Sequence, residues 1–152
     1  MLPKTAQNAL NDALIHQLEI LPNVSVGTVH SPVDPPILPV ACSMSFNGPT
    51  HGRVEIVASR EFTRLLAGKV DGLSDDDAHD KADASMKALV NKVADVLMPH
   101  IMNGSASQYR RSQPVLRSVD IECDWPNLAA SRETQLFHAN GHILAARLIE
   151  LD

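Results

Sequence analysis

The sequence predicts an α/β fold (α+β in layer terms), a largely antiparallel sheet with two main helices packed on one of its faces. Three observations carry this. Val40, Cys42, Met44 and Phe46 alternate with Ala41, Ser43 and Ser45, and Val54, Ile56 and Ala58 alternate with Arg53, Glu55 and Ser59, the period-two pattern of strands. From Ala78 to about Met102 apolar residues recur at helical spacing instead. Asn140-Gly141 joins two further alternating segments and is the strongest short-range hairpin signal.

Size and composition set the frame. At 152 residues and 16.5 kDa the chain fits one domain, 1–152, able to bury a core without disulfides or a structural metal. With 44% hydrophobic and 20% charged residues the composition is that of a soluble globular protein rather than a disordered one. The net charge of −5 argues against a nucleic-acid clamp, whose affinity comes from clustered cations, and the one such cluster is Arg110 and Arg111. No apolar run reaches the roughly 20 residues of a membrane span, and Met1 to Leu10 lacks a basic start followed by an apolar stretch. The expected location is the cytoplasm. Cys42 and Cys123 show no CxxC spacing and read as buried thiols of a reducing compartment.

The elements follow in order. Pro3 to Leu21 places Ala6, Ala9, Leu10, Ala13, Leu14, Leu18 and Leu21 on one helical face, and Pro22 ends it. Val24 to Val29 is a short strand, and the proline-rich Ser31 to Pro39 a stiff loop. Strands Val40 to Asn47 and Arg53 to Ala58 form a hairpin around the turn cluster Asn47 to Gly52. Ser59 then opens a short helix, Glu61 to Lys69. The acidic run Ser74 to Asp77 suits the N-terminus of the long helix, where carboxylates cap free amides and meet the positive dipole end; it lacks calcium-loop spacing. Met86, Leu89, Val90, Val93, Leu97 and Ile101 form that helix's buried stripe, Lys87, Asn91 and Asp95 face the other way, and Pro99 kinks or ends it. After a polar connector, Gly104 to Gln113, strand character returns over Val115 to Asp124, with Arg117 breaking the apolar register at the rim. A polar turn runs from Trp125 to Arg132, and the closing hairpin pairs Gln135 to Ala139 with His142 to Leu151. This last strand is apolar on both faces, which implies a covering helix layer and allows a partner subunit.

Most chemical motifs are absent. There is no GxSxG elbow, no GxGxxG and no GxxxxGK[ST]. His138 and His142 have the spacing of two metal ligands on a helix, but a two-residue turn pairs Ala139 with His142 and His138 with Ile143, which sends the imidazoles to opposite faces of the sheet. No metal site is expected. Asn91 stands out, because a carboxamide in mid-helix lowers helix propensity and has no cap to make there.

The ordered set SMSFNGPTHGRVEIVASREFTRLLAGKVDG, DASMKALVNKVADVL, PVLRSVDIE and FHANGHILAARLIEL resembles the CheX branch of the CheC, CheX and FliY chemotaxis phosphatases, most strongly over 40–151. The resemblance implies a CheX-like fold and a partner, the phosphorylated CheY-type receiver of two-component signalling. In that family an exposed long helix carries Glu-x-x-Asn. The asparagine orients a water in line with the phosphorus of the receiver's aspartyl phosphate, and the receiver itself supplies Mg2+. The domain needs no cofactor of its own. Asn91 falls on the motif asparagine, the catalytic position, and Ala88 stands where the family has Glu. Lys87, Ala88 and Asp95 are the expected partner-binding positions; Asn91 and Asp95, at i and i+4, share a face as a substitute site. The first helix has no second Glu-x-x-Asn, so the resemblance is to a single-site domain. The alternative is a non-catalytic domain that binds a receiver or another signalling protein. Family members of this type dimerise through their sheets, and a homodimer is expected.

Overall fold

The computed structural model describes residues 4–21, 23–29, 34–71, 75–101 and 108–151. Pro3, Pro22, residues 31–33, Ser74, Met102 and residues 104–107 of the expected elements lie outside them. The chain runs α1 (Lys4–Glu19), β1 (Val26–Val29), β2 (Pro39–Asn47), β3 (Gly52–Ser59), α2 (Arg60–Asp71) and α3 (Asp75–Ile101). It continues through β4 (Arg110–Arg111), β5 (Val115–Ser118), α4 (Asp124–Ala130), β6 (Thr134–Ala139) and β7 (His142–Glu150).

One antiparallel sheet of seven strands is ordered β1-β6-β7-β3-β2, with β4 and β5 both pairing β2 at its far edge. The period-two faces are those of the sequence. Cys42, Met44, Phe46, Val54, Ile56, Leu144, Ala146 and Leu148 meet Leu10, Leu14 and Leu18 of α1 and Met86, Val90, Val93 and Leu97 of α3 in the main core. Ser59 caps α2, accepting a hydrogen bond from Phe62 N at 3.1 Å, which ends β3 and starts the helix within one residue. The long helix begins on the acidic run and carries Pro99 inside it, reaching Ile101. The final hairpin has the expected register, Ala139 against His142 and His138 against Ile143. Asn140 and Gly141 adopt φ of 48° and 83°, the pair of positive angles its two-residue turn requires. The Asn140 side chain also ties β1 into place, accepting from Ser25 N and donating to Asn23 O, each at 2.9 Å.

Two expectations are corrected at the far edge. The polar connector contains a strand, because Arg110 and Arg111 pair with Asn47 and Phe46. The strand expected over Val115 to Asp124 stops at Ser118, and the segment beyond turns into α4. Asp120 drives that change: its carboxylate accepts from the N–H groups of Glu122 and Cys123, both at 2.8 Å, and its carbonyl from those of Asp124 and Trp125 at 2.9 and 3.0 Å. The Asp124 carboxylate returns a bond to Asp120 N at 3.0 Å. A short polar side chain thus offers the backbone a tighter alternative than the ladder. Pro126 is the third helical residue, where its missing N–H leaves no helical bond unmade. The bonds that the Cys123 and Glu122 N–H groups give to it hold the Asp120 carboxyl below the usual carboxylate range.

Helix α4 is the covering layer for the second sheet face. Its Trp125 and Leu128 pack on Ala41, Val57 and Ala145 in a smaller core. Beside it, Glu55 is 1% exposed and receives Arg147 at 2.7 Å and Arg117 at 3.2 Å. Arg117 therefore does not break its strand: it projects over Ala41 to a buried carboxylate two strands away.

Gly52 has a steric reason to be glycine. A Cβ there would lie 2.6 Å from the Ile149 carbonyl and 2.5 Å from the Phe46 ring. Neither yields easily, since one is backbone of the neighbouring strand and the other is fully buried. Gly52→Ala is expected to cost about 2 kcal/mol, the scale of overpacking a tight core, read as a lower urea midpoint at unchanged m-value. An unchanged midpoint would show that the hairpin end relaxes freely.

Candidate functional site

Helix α3 presents the candidate site because one of its faces is buried in the core and the other is left uncovered. On the uncovered side Lys87, Ala88 and Asp95 are exposed and Asn91 is half-buried. Asn91 and Asp95 are brought together by Arg111, which in the sequence stands only as half of a basic pair. Arg111, on β4, places Nη1 at 2.5 Å from Asp95 Oδ1 and Nη2 at 3.4 Å from both the carbonyl and the Oδ1 of Asn91. The edge pairing of Phe46 with Arg111 carries this guanidinium to the helix. No local motif announces it, since the contact depends on how the sheet edge passes α3.

Arg111 donates to the Asn91 Oδ1 over a long contact of 3.4 Å. Ala88, one turn earlier on the same ridge, contributes no polar group and lines a groove between α3, α2 and the C-terminal end of α1. Lys87 lies on the flank nearer Asp83, and Asp83 is itself paired with Arg60 at 3.1 Å. Asn91, Asp95 and Arg111 therefore form one cluster, and Ala88 belongs to the adjoining concavity. A carboxamide and a guanidinium side by side can orient a water or meet a phosphoryl oxygen.

Among the described residues no group of three or more His, Cys, Asp or Glu side chains is placed to hold a metal ion. The two hairpin histidines lie on opposite faces, as the register requires: His142 Nδ1 is 3.3 Å from Ser59 Oγ on the helix side, and His138 sits over Gly27 on the other.

The cysteines differ from each other. Cys42 is buried beneath α3, and burial pushes its thiol up to about 11, with Lys87 drawing it down and Asp83 and Glu55 adding to the rise. Cys123 is exposed, correcting the expectation that both thiols are buried, because the turn into α4 carries it off the sheet. With a thiol reagent at pH 8, one equivalent is expected to react within minutes and the second only on unfolding. Two fast equivalents would mean that α3 opens over Cys42.

No protein-family model and no curated protein matches the sequence. Solved structures do. The chain has the fold of the CheX and CheC-like chemotaxis proteins, an α+β layer of antiparallel sheet and helices. A CheX from Desulfovibrio desulfuricans superposes with a TM-score of 0.67 at 7% identity, over 97% of this chain and 99% of that one. A CheC-like protein from Shewanella sp. PV-4 gives 0.62 at 13%, over 99% of each. A CheX–CheY–BeF3–Mg2+ complex from Borrelia burgdorferi gives 0.57 at 12%, over 97% of each.

Proposed function

We propose that this chain engages a phosphorylated CheY-type receiver through the uncovered face of α3 and promotes hydrolysis of its aspartyl phosphate, with Asn91 positioning the water. The observation that supports it is Asn91 itself, half-buried on the free face of the long helix in a chain that shares its fold end to end with CheX structures, one of them in complex with CheY. In this reading the receiver brings Mg2+ and neutralises the phosphoryl charge. Asn91 supplies orientation, converting a diffusing water into one held in line. Arg111, near Asn91 Oδ1 and paired with Asp95, biases the orientation of the carboxamide and places a cation beside the incoming anion. On this reading the place of action is the cytoplasm. No helix among the described residues is long and apolar enough to cross a membrane.

A second reading has its own support. Ala88 removes the carboxylate of the family motif, and Arg111 occupies the oxygen of Asn91 that a nucleophilic water would use. On that reading the domain binds a receiver, or another signalling protein, without chemistry. The deciding experiment follows receiver dephosphorylation with and without this protein, using receivers encoded in the same genome and Asn91→Ala as control. Acceleration lost in Asn91→Ala supports the phosphatase; binding without acceleration supports the second reading, and the absence of both overturns each.

The homodimer belongs to the same proposal. Val115 is 60% exposed on the second sheet face at the β5 edge, and Ile149 of β7 is only half-buried there. The middle of that face is already covered by α4, so a second copy would pair around it. Sedimentation at tens of micromolar is expected to give a dimer, and a monomer overturns this part.

A further inference from the structure

We infer that the groove beside Ala88 docks an acidic helix of the partner protein, inserting one leucine- or phenylalanine-sized side chain, so that the partner surface is opposite in charge to one that a glutamate at position 88 would hold. The groove encloses about 220 Å³. That exceeds the roughly 150 Å³ cavity that admits a benzene ring. Its walls are Ile20, Leu21, Leu66 and Leu89, and Ala84 and Ala88 leave it open along α3. Ile20 is 60% exposed there, a large apolar side chain with no cover.

Charge selects the occupant. The ionic side chains lining the groove are Lys81 and Lys92, and no carboxylate lines it among the described residues. Lys81, Ala88 and Lys92 stand at i, i+7 and i+11 on α3, so the two ammonium groups bracket the small residue at either end. Across the ridge, Asp83 and Asp95 are each taken up by an arginine, Arg60 at 3.1 Å and Arg111 at 2.5 Å. A chain of net charge −5 thus carries a local cationic rim around an uncovered apolar slot. An amphipathic helix with an apolar anchor and flanking Glu or Asp matches both features. The inference rests on the receiver reading for where the partner's phosphate lies relative to the groove, and it adds the sign of the partner's surface.

The test titrates the full chain, by fluorescence anisotropy, into a labelled helical peptide with leucines at i, i+3 and i+7 flanked by glutamates. A peptide with lysine for glutamate is the control. The acidic peptide is expected to bind at least about tenfold more tightly than the basic one. Lys81→Glu with Lys92→Glu should weaken it about tenfold or more, as should Ala88→Trp, which fills the slot without changing charge. Ala88→Glu should weaken it also. Thermal melts accompany each variant, and Lys81→Gln with Lys92→Gln replaces the reversal if that pair does not fold. Equal binding of both peptides, binding of neither, or indifference to the lysine substitutions overturns the inference. The same variants are then assayed against beryllofluoride-activated receivers. Peptide binding with no receiver bound removes the receiver reading and leaves the groove; receiver binding indifferent to the lysines removes the groove and leaves the receiver reading.

Discussion

Asn91→Ala is expected to return receiver dephosphorylation to its unassisted rate, a loss on the order of a hundredfold, while leaving the protein as stable as before or slightly more so. The two halves of this outcome have separate causes. Positioning is the contribution assigned to the carboxamide, and alanine has nothing with which to hold a water. Stability moves the other way because alanine is the better helix former, by about 0.6 kcal/mol at an interior position, and the bond lost to Arg111 is long at 3.4 Å. The Arg111–Asp95 ion pair survives the change, and as a surface pair it contributes less than about 1 kcal/mol. A melting curve beside the rate assay separates the causes. A loss of rate together with a loss of structure would assign Asn91 to the fold, and an undiminished rate would move the chemistry elsewhere.

Arg147→Met is expected to destabilise the domain by about 3 kcal/mol, because it strips one of two cations from a carboxylate withdrawn from water. Glu55 is 1% exposed and Arg147 reaches its Oε1 from Nη2 at 2.7 Å and from Nε at 2.9 Å. The remaining partner, Arg117, sits at 3.2 Å with its own side chain 44% exposed, so solvent weakens its compensation. For a chain of this size the loss corresponds to a melting temperature lower by about 10 °C. Replacing all three groups, Glu55→Leu with Arg117→Met and Arg147→Met, is expected to recover most of that loss, since no charge is then left buried. A single variant as stable as the wild type would show that water reaches Glu55, and a triple variant no better than the single would make the cluster a net source of stability.

The periodic elements were legible because their signal is local. The alternation in β2 and β3, the apolar stripe of α3 and the Asn140-Gly141 turn each depend on residues within a few positions, and each stands in the structure with its expected face and register. The departure from strand at 119–130 has a local cause too, but of a kind periodicity does not show: Val119, Ile121 and Cys123 alternate by chance, and Asp120 overrides the pattern, its carboxylate accepting from two backbone N–H groups and its carbonyl from two more. Only Val119 of the three is buried. Position 91 was legible as a carboxamide without a structural duty, whereas Arg111 was visible only as part of a basic doublet.

By itself the sequence determined the helix that carries Asn91, the face on which it stands, and the absence of a carboxylate at position 88. Those follow from the helical repeat and from residue identity alone. The tertiary structure alone decided which groups surround that face. Arg111 reaches Asn91 from 20 residues away because β4 pairs with the end of β2 beside α3, and the lysine-rimmed groove exists because Ile20 and Leu66, distant in sequence, meet α3 at one place. Contacts between segments far apart in the chain are set by how the layers pack, and a pattern read along one segment carries no information about the neighbour packing will bring to it.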